Sequence, residues 1–105
     1  MRAPDVNAIH AYLASSGLTG WDDTEVDAAL AAERAAQGRA CVVPSQDDGW
    51  PADLVEALRR RVVRNLAMRR SPVGLQVSDM GAVRISGTDV EIARLEAGHR
   101  RWVVA

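Results

Sequence analysis

The densest set of chemically capable side chains lies between Pro51 and Leu75, where six arginines occur: Arg59, Arg60, Arg61, Arg64, Arg69 and Arg70. A guanidinium binds carboxylates and phosphates through planar, paired hydrogen bonds, so the chemistry on offer is recognition. The other reactive types are scattered. His10, Cys41 and His99 are far apart and form no ligand-spaced pair, so no metal site is expected. Asp22-Asp23 and Asp47-Asp48 could hold a cation, but such pairs better suit helix caps and turns. A P-loop needs its lysine, and all 13 basic side chains are arginine. No glycine-rich dinucleotide fingerprint opens a helix, and no serine sits in a nucleophile elbow. Cys41 reads as a small buried residue. Neither an enzyme nor a cofactor is expected.

The elements that position these residues read as helices. Asp5 to Ser16 forms a first helix, opened near Pro4, with Val6, Ile9 and Leu13 on one face and Gly17 as its stop. Trp21 plugs the join to a second helix, Asp22 to Gln37. That helix is capped by Asp22 or Thr24, has Val26 and Leu30 as its buried stripe, and ends at Gly38. Its alanines leave a smooth side that another helix could approach. Cys41 to Val43 is briefly extended, and Pro44 to Gly49 is a linker. Pro51 starts a third helix, which Ser71-Pro72 stops. Leu54, Leu58, Val62 and Leu66 form its stripe, with Val55, Val63 and Met68 widening it. Arg59 and Arg61 sit at the stripe's edges, where their stems cover core and their heads reach out. Leu75, Val77, Val83 and Ile85 suggest two short extended arms around Asp79-Met80-Gly81, a hairpin or a tucked loop. Thr88 or Asp89 caps a fourth helix with Ile92, Leu95 and His99 on one face. The expected fold is all-α: a small bundle of three to four helices, with an extended loop or hairpin before the last helix. Residues 1–105 form a single domain, and 102–105 form an extended tail.

Composition narrows the setting. The 105 residues include eighteen alanines, three tryptophans, one tyrosine and no phenylalanine, so large apolar side chains are scarce. Ordering costs about 1–2 kcal/mol per residue in backbone entropy, which makes support from a partner subunit a fair expectation. Residues 1–57 carry a net charge of −7 and residues 58–105 carry +6. Such halves can pair within one chain or stack on a neighbouring copy. The absence of lysine fits interfaces, and equally codon bias in a GC-rich genome. The single Cys41 fits a reducing compartment. No apolar run approaches the roughly 20 residues that span a bilayer, and no signal peptide is visible. A soluble, intracellular protein with no membrane contact is expected.

Three stretches carry a resemblance: ALAAERAAQGRAC, ALRRRVVRNLAMRRSPVGLQ and GAVRISGTDVEIARLEAGHRRWVV. Together they resemble the head-to-tail connector (adaptor) proteins of long-tailed bacteriophages of actinobacteria, over roughly Val6 to Val104. The resemblance is one of overall pattern. It implies a homo-oligomeric ring, typically dodecameric, docked beneath the portal protein in the virion neck after assembly in the host cytoplasm. A downstream connector or stopper would bind the other face, and DNA would pass through the channel without sequence-specific binding. On this resemblance the portal contact falls on Arg100, Arg101, Trp102, Val103 and Val104. Residues facing a neighbouring subunit or the lumen are Arg59, Arg60, Arg64, Val77, Met80 and Val83. This chain stops soon after Trp102, whereas some members of the family run longer.

Two rivals belong to other classes. One is a small nucleic-acid-binding regulator using Arg59, Arg60, Arg61 and Arg64, whose affinity would fall steeply with salt. The arginines are spread around their helix, and no recognition helix follows a tight turn, which weighs against it. The other is a small helical antitoxin or enzyme subunit.

Overall fold

Three of the described helices begin where a side chain satisfies their first free N–H groups. In the computed structural model, which describes residues 1–70, 75–78, 81–84 and 89–101, Asp5 caps helix α1 (Val6–Ser15) by accepting from the Ala8 N–H at 2.8 Å. Asp22 caps α2 (Asp23–Ala40) through the Glu25 N–H at 2.7 Å. Helix α3 (Ala52–Arg70) follows Pro51, whose carbonyl accepts from the Val55 N–H. Asp89 caps α4 (Val90–Glu96) through both the Glu91 and Ile92 N–H groups, and a 3-10 turn (Ala97–His99) follows.

The fold is a small all-α bundle in which α3 is central and packs against α1, α2 and α4. Between α3 and α4 the chain forms a two-stranded antiparallel hairpin, β1 (Leu75–Ser78) and β2 (Gly81–Arg84). The core holds the expected stripes: Ile9 and Leu13 from α1, Val26 and Leu30 from α2, and Leu54, Leu58, Val62 and Leu66 from α3. Trp21 is partly buried against that core. Trp50 is almost wholly buried, donates its indole N–H to the Gln46 carbonyl at 2.7 Å, and carries the Arg34 guanidinium 5.3 Å from its ring centre. Residues 1–3 lie along this loop, with the Trp50 N–H donating to the Met1 carbonyl and the Ala3 N–H to the Asp47 carbonyl.

Two helix ends contrast. Gly17 stops α1 as expected: its φ is +74°, and the Gly17 and Leu18 N–H groups donate to the Ala14 and Leu13 carbonyls. Gly38 does not stop α2, which continues to Ala40. The reason is tertiary. The Arg101 N–H donates to the Ala40 carbonyl at 2.9 Å, and the Arg101 side chain donates to the Gly38 carbonyl at 3.0 Å. These bonds satisfy carbonyls that a left-handed glycine would otherwise serve. Met68, at the edge of the stripe, is partly buried and lines a surface cleft.

Candidate functional site

The helical period of α3 sorts its arginines into two groups. On the side facing α1, Arg59 donates to Glu56 at 2.8 Å, and its guanidinium lies 5.0 Å from the Tyr12 ring centre. Arg60 lies 3.4 Å from the same Glu56 carboxylate, and the Tyr12 hydroxyl donates to it at 3.0 Å. Burial, then the neighbouring Glu56, pushes the Tyr12 hydroxyl pKa up. These ion pairs are neighbours along α3 itself; Arg61 and Glu33, 3.7 Å apart, join the basic and acidic halves between helices.

On the other side of α3, Arg61, Arg64, Asn65, Met68 and Arg69 recur at i, i+3, i+4, i+7 and i+8 and build one wall of a cleft of about 610 Å³. Asp89, which caps α4, and Ile92 and Ala93 of α4 form the facing wall, and Glu33 and Arg100 complete the lining. Asn65 donates to Glu33 at 2.9 Å, and Arg69 donates to the Asn65 side-chain oxygen at 2.7 Å.

Beneath this cleft lies a buried polar network. Glu96 is fully buried and accepts two hydrogen bonds from Arg61, at 2.7 and 2.6 Å. Gln37, also fully buried, donates to Glu96 at 3.0 Å and to the Leu54 carbonyl at 3.1 Å, while its own side-chain oxygen has no partner among the described residues. Burial raises the Glu96 pKa, but the bonds from Arg61 and Gln37 and the Arg61 charge outweigh it, so the net shift is downward. The adjacent Cys41 thiol is pushed up by burial and by Glu96. The network ties α2, α3 and α4 together; a buried thiol of raised pKa beside a carboxylate is poorly suited to nucleophilic attack. The sequence reading missed it. The available signal was Glu96 itself, four positions after Ile92 and so on the apolar face of α4.

The root of the C-terminal segment is fixed. Cys41 and Arg100 form an antiparallel β-bridge, and the Val42 N–H donates to the His99 carbonyl at 2.7 Å. His99 Nε2 lies 2.9 Å from Asp53 Oδ1, pinning the 3-10 turn to the start of α3. Of the expected portal-contacting residues, Arg100 is exposed beside the cleft and Arg101 closes α2, whereas Trp102, Val103 and Val104 lie outside the described residues. Of the expected subunit or lumen residues, Arg59 and Arg60 are engaged within the chain and Arg64 lines the cleft. Val77 lies opposite Ala82 and Val83 opposite Gln76 in the hairpin register, and Met80 lies outside the described residues.

Among the described residues no group of three or more histidine, cysteine or carboxylate side chains is placed to hold a metal. No helix among them is long and apolar enough to cross a membrane. No family model, curated protein or solved structure matches the chain.

Proposed function

We propose that this protein is a structural component of a long-tailed phage particle, a head-to-tail adaptor. It forms a ring beneath the portal, joins the portal to the next connector and surrounds the DNA channel. The observation that carries this reading is the anchored root of the C-terminal segment. The Cys41–Arg100 bridge and the two Arg101 bonds hold residues 99–101 against the end of α2. The apolar sequence Trp102-Val103-Val104 follows directly. An apolar segment on a fixed base suits docking into a partner, where a tryptophan serves as the central anchor.

The regulator reading is less well supported. It relies on Arg59, Arg60, Arg61 and Arg64, yet the first two are held by Glu56 and the third by Glu96. Guanidiniums already paired with carboxylates neutralise few phosphates.

The test is negative-stain imaging of the protein with portal rings from the same genome, with the protein alone as control. A ring that appears only with portal, and is lost when residues 102–105 are deleted while helicity is retained, supports the adaptor. A truncated protein that docks normally refutes the tail assignment, and a monomer that ignores portal refutes the adaptor reading.

A further inference from the structure

The cleft between α3 and α4 has more positive charge than its own acids use. Its two carboxylates are committed. Asp89 caps α4, and Glu33 accepts from Asn65 and lies 3.7 Å from Arg61. Arg61 is spent on Glu96. Among the described residues Arg69 and Arg100 have no ion-pair partner, and Arg69 bonds there to the neutral Asn65. They come from different elements, the last turn of α3 and the segment after the 3-10 turn, and both line the same cleft. Met68, Ile92 and Ala93 give that cleft an apolar lining.

We propose that this cleft is a docking site for an acidic peptide segment of a partner protein, one in which carboxylates flank an aliphatic side chain. The carboxylates would pair with Arg69 and Arg100 in charge-assisted, bidentate fashion. The aliphatic group would fill the space beside Met68, Ile92 and Ala93. The volume, about 610 Å³, lies within the roughly 300–1,000 Å³ typical of sites that enclose a small group. A nucleic acid fits less well. Its backbone seeks a row of available cations, whereas this cleft sets its arginines around an apolar lining of Met68, Ile92 and Ala93 that a sugar-phosphate backbone would leave unfilled. The inference is independent of the adaptor reading: a protein that binds the peptide but ignores portal rings loses only the latter.

The experiment is fluorescence anisotropy on the full chain. The probes are a set of short labelled peptides placing glutamates around a leucine in every register, their glutamine counterparts, and a single-stranded oligonucleotide. Binding of an acidic peptide, weakened about tenfold in the glutamine counterpart and by Arg69→Ala with Arg100→Ala, is the expected result. The double variant should melt like the parent, because neither arginine supports an ion pair within the described fold. Three outcomes overturn the proposal: no acidic peptide binds, binding is indifferent to the double variant, or the oligonucleotide binds more tightly and loses that binding in the same variant.

Discussion

Replacing Arg61 by methionine should cost more than replacing Glu96, although the two residues share the same hydrogen bonds. The asymmetry comes from burial. The Glu96 side chain is 0% exposed, and that of Arg61 is 18% exposed. In Arg61→Met the carboxylate stays buried with only Gln37 and the Cys41 thiol as donors. Stranding one member of a buried pair costs about 3–5 kcal/mol. In Glu96→Met the guanidinium still reaches solvent and Glu33, 3.7 Å away, and Gln37 keeps the Leu54 carbonyl. That loss is about 1.5–3 kcal/mol, in line with a hydrogen bond to a charged group. The double variant should be no worse than Glu96→Met, since a well-packed apolar pair often replaces a buried ion pair at little cost. Urea unfolding followed by circular dichroism reads all four proteins. At roughly 4 °C per kcal/mol, Arg61→Met should also melt about 12–20 °C below the parent. Equal losses in the two single variants, or a loss below about 1 kcal/mol for Arg61→Met, would refute the argument. The same pair sets a pH dependence. The Glu96 pKa in the folded state lies below its ordinary 4.5, so its contribution is complete above that value and is lost as pH falls through the folded pKa. Glu96→Gln should flatten the acid limb of the stability curve, and an unchanged limb would count against the assignment.

Other expectations follow from the helix ends and the core. Gly38→Ala should stabilise by about 0.5–1 kcal/mol, because the position is helical and an added Cβ meets only Val43 Cγ2 at 3.9 Å. Gly17→Ala should destabilise by about 1–2 kcal/mol, because φ there is +74°; thermal melts of the two variants should move in opposite directions. The Cys41 thiol, fully buried and raised in pKa, should react with a disulfide reagent only as fast as the bundle opens, and rapid labelling of native protein would contradict its placement. Leu58→Ala should cost about 2–5 kcal/mol in chemical unfolding, because the side chain is fully buried in the central helix.

Local chemistry was legible in the sequence where it decides the outcome locally. Asp22 and Asp89 stand among the expected caps because a cap acts within three residues, whereas Asp5 is passed over for Pro4 beside it. Leu54, Leu58, Val62 and Leu66 announce the core because their spacing is the helix's own period. The split of α3's arginines was legible in part: Arg59 and Arg61 stood at the edges of the stripe, but nothing local named Tyr12 or Glu96 as their partners. The true end of α2 was hidden for the same reason. Gly38 is a stop by its own preference, and it was overruled by Arg101, 63 positions away. The buried Glu96 was counted only as one acid in a basic half, since its worth depends on where α4 lands.

The reach of these contacts also couples two distant parts of the chain. Glu96 connects back across 35 positions to Arg61 and 59 to Gln37, and Arg101 reaches back 63 to Gly38. The last turn of α2 and the base of the C-terminal segment therefore share their bonds, through the Cys41–Arg100 bridge and the two Arg101 bonds. Loosening α4 would free both at once, so any surface built on that segment depends on α4 being seated.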